Sequence, residues 1–336
     1  MQAVNKRRSA GIMAGVMAGV MATALGGFQA TALAQGAANF PTKPVRFILA
    51  FGAPGGAPDV TARLIQPKLT EAWGQQIIID GRSGAGGILG TEAASKAAPD
   101  GYSYLITSPA HAINPALYSK LPYDPVADFI PMSVLVDVPN IVIVHPSVPA
   151  RTVKELIAHA RANPGKLNYG SAGTGSSQHL AGELFSKMAG VKMTHIPYKS
   201  GPAAVTDLVA GLVQLTFGSS SALPMVRAGK LQALAVTTPQ RVSSLADLPT
   251  VSEAALPGYA ASAWYIMLAP AKTPKAMMDK VQAEVVRALK MPDVKEKLAI
   301  ASIEVVGTGP AEAESFLKSE LAKWAVIVKE SGAKVE

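Results

Sequence analysis

Along this chain, short apolar runs alternate with segments whose apolar residues recur every three or four positions, a pattern that predicts strands and helices in turn. Val45 to Phe51 reads as a strand, Asp59 to Trp73 as a helix, Gln76 to Asp80 as a strand, Gly90 to Ala98 as a helix and Tyr102 to Thr107 as a strand. Pro99-Asp100-Gly101 supplies the turn between the last two. Leu167 to Tyr169, Thr194 to Pro197, Leu215 to Phe217 and Leu231 to Thr237 read as further strands, with helices at Ser177 to Ala189 and Ala203 to Ala210. After Thr273 the pattern is mostly helical. Pro310 opens a last helix in which Phe316, Leu317, Leu321, Trp324 and Val328 line one face. The fold class expected is α/β, with mostly parallel sheets flanked by helices.

Two patterns occur twice. In VRFILAFGAPGGAPDVTAR (Val45 to Arg63) and LNYGSAGTGSSQHLAGELF (Leu167 to Phe185), an apolar strand breaks into a small-residue turn and a helix starts at once. The first turn of a helix exposes unpaired backbone N–H groups, which bind an anion without a charged side chain. Two such cradles suggest two lobes gripping one small anion. The second pair is IVIVHPSVPARTVK (Ile141 to Lys154) and YIMLAPAKTPKAMM (Tyr265 to Met278), each a short strand, a proline and a helix start. Thr152 with Glu155 predicts a capping box, and Thr273 before Pro274 a capped helix. These two strands read either as two crossings between lobes or as repetition of a common connection.

The first 34 residues look like an export signal. Lys6, Arg7 and Arg8 precede an Ala/Gly/Met-rich apolar run, and Ala32-Leu33-Ala34 offers a cleavage site. The run is too weakly apolar for a membrane anchor, and the residues after Arg7-Arg8 fit a twin-arginine signal poorly, so a soluble exported protein is expected. Formal charge is +8, of which the leader holds three bases and no acids, leaving +5 on the mature chain. The bases are scattered and no aromatic-basic interleaving occurs, so nucleic acid is not an expected partner. A small anion suits a weakly positive surface better. Cysteine is absent, which excludes disulfides, thiolate catalysis and a lipid-modified N-terminal Cys.

Catalytic signatures are few. His111, His145, His159, His179 and His195 show no H-x-x-x-H or H-E-x-x-H spacing, so no metal is expected. GSAGTGSS (Gly170 to Ser177) lacks a G-x-S-x-G elbow, although Ser177 and His179 could pair in an exported hydrolase. In Gly84 to Gly90, GAGGILG, the third glycine of a dinucleotide fingerprint would fall at Leu89, so a tight turn is the better reading. No P-loop is present, and no cofactor is expected.

Several blocks together, among them FGAPGGAPDVTARLIQPKLTEAWGQQ, GRSGAGGILGTEAASKAAPDGYS, NYGSAGTGSSQHLAGELF, HIPYKSGPAAVTDLVAGLV and LPTVSEAALPGY, resemble the tripartite tricarboxylate transporter substrate-binding receptors, the Bug proteins, from about Pro41 onward. The resemblance implies a two-lobed periplasmic binding protein of type II with two crossover segments. Residues 36–142 and 262–336 would form one lobe, and 143–261 the other. It implies a monomeric, non-catalytic receptor that closes on a small organic carboxylate and serves a membrane permease or a sensor ectodomain. A non-transport envelope protein is the further alternative.

Carried over by that resemblance, the first carboxylate loop is Ala53, Pro54, Gly55, Gly56 and Asp59; Asp59 is expected to cap N–H groups rather than touch an anion. Ser108, Ala110 and His111 match the loop after the third strand. Ser171, Gly173, Thr174, Gly175, Ser176, Ser177 and His179 match the second-lobe loop, and Tyr198 and Lys199 the segment after it. Tyr198 could equally be a core aromatic, Lys199 solvated, and Trp264 a cleft wall or a hinge packer. Gly81 and Gly218 depart from the family, which has an Asn near the first and an Asp at the second. Loss of that Asp argues against a ligand bearing an ammonium group.

Overall fold

The structure, a computed structural model, describes residues 39–331 apart from 52, 53 and 199. The expected signal segment 1–34, Ala53 and Lys199 therefore lie outside the described residues. By backbone contacts a stretch ending at Lys43 separates from the body beginning at Pro44, and both sheets belong to the body.

The first part of the body runs β1 (Val45–Leu49), α1 (Ala57–Trp73), β2 (Ile77–Gly81), α2 (Ile88–Ser95), β3 (Ser103–Thr107), α3 (Ala110–Leu117) and β4 (Phe129–Asp137). The middle runs β5 (Ile141–Val144), α4 (Val153–Ala162), β6 (Asn168–Ser171), α5 (Ser177–Ala189), β7 (Thr194–Pro197), α6 (Gly201–Val209), β8 (Leu215–Gly218), α7 (Leu223–Arg227), β9 (Gln232–Val236) and α8 (Val251–Ala254). The chain then returns through β10 (Tyr265–Pro270), α9 (Lys275–Leu289), α10 (Pro292–Ile300), β11 (Glu304–Val305) and α11 (Pro310–Ser331).

Two sheets result, ordered β11-β4-β10-β3-β1-β2 and β7-β6-β8-β5-β9. β1 pairs in parallel with β2 and β3, and β6 in parallel with β7 and β8. β10 lies antiparallel between β3 and β4, and β5 antiparallel between β8 and β9. The two similar strand segments of the sequence are thus the reversed strands inside their sheets, one carrying the chain into the second sheet and the other carrying it back. All four residues of β5 are buried, as a strand covered on both faces requires.

Where the chain crosses, Val138 and Ala263 exchange backbone bonds of 3.2 and 2.9 Å. Asn140 ties the crossings to the second sheet: its amide donates to Thr237 Oγ1 at 3.0 Å and its Nδ2 to the Ala261 carbonyl at 3.0 Å. α11 adds a noncovalent tie that the sequence pattern did not reveal, packing on α3 and β4 and touching α5, where Lys187 Nζ meets Glu330 Oε2 at 2.5 Å. Trp264 Nε1 and Trp324 Nε1 both donate to Glu320 Oε2, at 2.8 and 2.9 Å.

Several helix starts differ from expectation. α1 begins at Ala57 rather than Asp59, with Pro58 in its first turn, where no N–H is needed. At α4 the Thr152 hydroxyl accepts from the Glu155 amide as expected, but the Glu155 carboxylate takes the Arg151 amide, so the box is open by one residue. The complete box is at Thr250 and Glu253. Thr273 does not cap α9; its hydroxyl donates to the Pro270 carbonyl at 2.7 Å. In the glycine-rich turn before α2, a Cβ on Gly90 would lie 2.6 Å from Ala50 Cα and 2.9 Å from the Arg82 carbonyl. Gly90 lets α2 lie directly on the end of β1. Among the described residues no helix is long and apolar enough to cross a membrane.

Candidate functional site

Loops at the C-terminal ends of parallel strands form the natural binding edge of such sheets. In the first lobe, the turn after β1 passes through Pro54, Gly55 (φ +78°) and Gly56 into α1. Gly56 takes the N-cap position without a side-chain partner for the helix. The first intrahelical bond runs from Val60 N to the Gly56 carbonyl, so the Ala57 and Asp59 amides stand ahead of the helix's own acceptors. Asp59 holds the loop from behind. Its Oδ2 accepts from the Gly55 amide at 3.0 Å and its Oδ1 from Arg63 Nε at 2.9 Å. Burial pushes this carboxyl up, but the Arg63 hydrogen bond, the Gly55 amide and the Arg63 charge outweigh it and hold the pKa below the ordinary value. One loop amide counted as a ligand donor from sequence is therefore already engaged.

The two neighbouring segments, the glycine turn before α2 and the start of α3, are tied to each other. Asn114 Nδ2 donates to the Gly86 carbonyl at 3.0 Å, and the Ser108 hydroxyl accepts from the Ala110 amide at 3.3 Å. The segment after β3 is not a bare loop but the short helix α3, with Ala110 and His111 in its first turn. His111 is 1% exposed, stacks on Tyr123, meets the Phe129 ring edge-on and contacts the Pro125 carbonyl through Nε2 at 2.9 Å. Burial lowers its pKa to about 4, so it is a neutral core group.

The second-lobe cradle is held without formal charge. Ser171 Oγ meets His195 Nε2 at 2.6 Å and accepts from the Gly173 amide at 3.1 Å. His179 Nδ1 accepts from the Gly175 amide at 3.1 Å, and the His179 and His195 rings stack at 3.9 Å. Burial, reinforced by His195, lowers the His179 pKa to about 3; burial lowers that of His195 to about 4. Ser176 is the N-cap of α5, its hydroxyl accepting from the His179 amide at 3.2 Å. Leu180 N bonds the Ser176 carbonyl, leaving the Ser177 and Gln178 amides ahead of the helix's acceptors. Thr174 stands in the same turn, between two positive-φ glycines.

This loop reaches the first lobe: a Cβ on Gly175 would come within 2.9 Å of Leu117 Cδ1 at the end of α3. Tyr198 packs its ring against the Gly170 backbone and the core cluster around Ile143 and Leu208, as a core aromatic does; its hydroxyl donates to Asp207 Oδ2 at 2.8 Å, and burial with that bond pushes the phenol up to about 12. Trp264 stands apart from both cradles. It is 3% exposed, meets Phe316 edge-on at 5.2 Å and is fastened to Glu320. His195 was not singled out from sequence as a functional residue; it meets His179 only because β6 and β7 pair.

The chemistry of these groups is that of binding rather than turnover. With Nδ1 accepting from an amide, His179 carries its proton on Nε2, 3.8 Å from Glu183, and has no free lone pair for Ser177. Among the described residues no group of three His, Cys, Asp or Glu could hold a metal. Residues 61–333 match the family described as tripartite tricarboxylate transporter family receptor. The chain belongs to this receptor family. Its members are solute-binding receptors rather than enzymes.

Among the relatives, this receptor is 37% identical over 293 residues, 87% of either chain, to a Pseudomonas sp. (strain P51) protein from the tcbD-tcbE intergenic region. A Rhodopseudomonas palustris protein solved with adipate is 37% identical, with a TM-score of 0.74 over 87% of this chain and 98% of that one. MatC of the same species, solved with bound malate, is 30% identical, with a TM-score of 0.70 over 86% of this chain and 100% of that one.

Proposed function

We propose that this receptor captures a small organic carboxylate lacking an ammonium group between its two lobes and delivers it to a tripartite tricarboxylate-type permease or a sensor ectodomain. The observation that carries this reading is the approach of the Gly175 turn to Leu117, which brings one lobe's helix start against the other lobe. The Ala57 and Asp59 amides would serve one end of the anion, and the Ser177 and Gln178 amides with the Thr174 hydroxyl the other. Pro54, Gly56 and Ser108 would shape the first side, and Tyr198 would border the second. Adipate and malate in two relatives support a carboxylate. Gly218 at the end of β8 offers no carboxylate to an ammonium.

The receptor would act as a monomer in the periplasm after removal of its leader near Ala34. Closure would hinge where Val138 pairs with Ala263, with the lobes divided near 143 and 261. A ligand that prefers the closed state stabilises it by mass action. Thermal shifts and calorimetry over mono- and dicarboxylates are expected to reveal a stabilising acid, with its affinity reduced by Ser177→Pro, which removes one donor amide. L-aspartate bound as tightly as the best unsubstituted diacid would refute the ligand class. Absence of any stabilising carboxylate would refute the function.

A further inference from the structure

Two buried side chains leave a polar atom without a hydrogen-bond partner among the described residues, and they differ in whether a ligand can reach them. Asp137, in the wall of a cavity behind the hinge, has Oδ1 sealed inside the protein, and burial pushes its carboxyl up to about 6. No ligand reaches that atom. Gln178, in the first turn of α5, has a carboxamide with two ends. Its Oε1 is sealed and takes no donor. Its Nε2 makes no hydrogen bond among the described residues either, but it is not one of the sealed atoms, so part of the residue's 8% exposure lies on this donor.

The head of this side chain lies against the start of α6. A Cβ on Gly201, the first residue of that helix, would stand 3.0 Å from Nε2. The two helix starts adjoin because β6 and β7 pair in parallel as far as Ser171 and Pro197. Tyr198 N then bonds the Ser171 carbonyl at 3.0 Å, and a Cβ on Gly173 would come within 3.3 Å of the Tyr198 carbonyl. Gly201 is half-exposed, and its amide has no partner among the described residues; the Ser200 hydroxyl caps the helix through the Ala203 amide instead. The adjoining starts thus carry four donors without acceptors: the Ser177, Gln178 and Gly201 main-chain amides and Gln178 Nε2. A carboxylate has about four lone-pair sites and no hydrogen to donate. A carboxamide held this deep with neither end paired is costly, and an anion accepting from Nε2 offsets that cost.

We propose that Gln178 is a specificity-determining residue of the carboxylate cleft, an inference that rests on the function proposed above: one ligand carboxylate lies between the starts of α5 and α6, seated on the Ser177 and Gln178 amides and held from the α6 side by Gln178 Nε2 and the Gly201 amide. All four groups donate and none is charged. An ammonium at this end of a ligand meets no acceptor, and an alcohol offers too few lone pairs to engage them all.

The test uses the acid that most stabilises the wild-type receptor in thermal shifts, titrated by calorimetry. A hydrogen bond to a charged group is worth about tenfold or more in affinity, so Gln178→Leu is expected to weaken binding at least about tenfold. Gln178→Glu keeps the shape and replaces the donor by a negative charge. It is expected to bind at least about a hundredfold more weakly than wild type at pH 8 and to recover as pH falls to 6, because the neighbouring anion favours the protonated carboxyl, which donates again. His179 and His195, the imidazoles of this cradle, stay neutral over that range, so wild-type binding should hardly change. The proposal is overturned if folded Gln178→Leu binds the acid as wild type does, or if Gln178→Glu shows the wild-type pH dependence; should Gln178→Leu not fold, the isosteric Gln178→Glu decides alone. Either result leaves carboxylate capture standing, since wild-type binding is measured first, whereas a wild-type receptor that binds no carboxylate overturns both readings.

Discussion

The two cradles follow the same plan of strand, tight turn and helix start, yet they are fastened by opposite means. The first uses an ion: Asp59 takes the Gly55 amide and is balanced by Arg63. The second uses only neutral groups, with Ser171, His179 and His195 holding the Gly173 and Gly175 amides. In both, loop amides that a sequence reader would assign to a ligand maintain the turn instead. Among the described residues, the first-turn amides left without a partner are those of Ala57 and Asp59 in the first cradle and Ser177 and Gln178 in the second. The contrast also implies that acid attacks the two sides differently.

The largest expected effect is on acid stability. His111, His179 and His195 are neutral when folded, with pKa values of about 4, 3 and 4, whereas unfolded imidazoles take protons near their ordinary value of 6.5. The unfolded chain then binds more protons, so stability is fully present above about pH 6.5 and falls as pH drops toward 4, by on the order of 1 to 2 kcal/mol for each fully buried ring. Asp137, whose pKa is raised to about 6, works the other way and offsets part of the loss. Urea unfolding from pH 7 to 4 should show this decline. The pair His179→Gln with His195→Gln should flatten it more than His111→Gln; equal flattening would erase the contrast between the lobes.

Next in size are the glycines that let each cradle's support approach closely. Gly90→Ala puts a methyl 2.6 Å from backbone Ala50 Cα and should cost about 3 kcal/mol, since backbone cannot swing away. Gly182→Ala meets the Tyr169 ring, with its nearest carbon at 2.4 Å; a ring can tilt, so about 2 kcal/mol is expected. Denaturant midpoints for the two variants check the order, and a reversed order would mean that the Tyr169 stack is stiffer than the backbone contact.

The smallest effects come from removing one fastening at a time. Asp59→Ala strands the Gly55 amide and should cost about 2 kcal/mol, whereas Ser176→Ala removes a helix cap for about 1 kcal/mol. Thermal unfolding of both variants measures the difference. Equal losses would show that the charged fastening holds no tighter than the neutral one.

Much of the fold was legible in the residue pattern. The repeated strand, proline and helix start correctly marked β5 and β10 as equivalent strands, because a strand buried on both faces reads as an unbroken apolar run. On the last helix, Leu317, Trp324 and Val328 are buried as their spacing requires. β4 and α3 were missed; each carries a proline inside it, Pro131 and Pro115, which breaks the local signal.

Strand and helix alternation, the two helix-start cradles and the family resemblance were all available from the chain itself, because periodicity and turn chemistry act over a few neighbouring residues. The fates of individual donors were not. Gly55 is engaged by Asp59, His179 by its contacts with the Gly175 amide and His195, and Trp264 by Glu320 beside a cavity behind the hinge. The cavity itself joins segments more than a hundred residues apart, which meet only once both crossings and α11 are packed. Local spacing carries no record of such encounters, since they depend on how the two sheets and α11 come together in three dimensions.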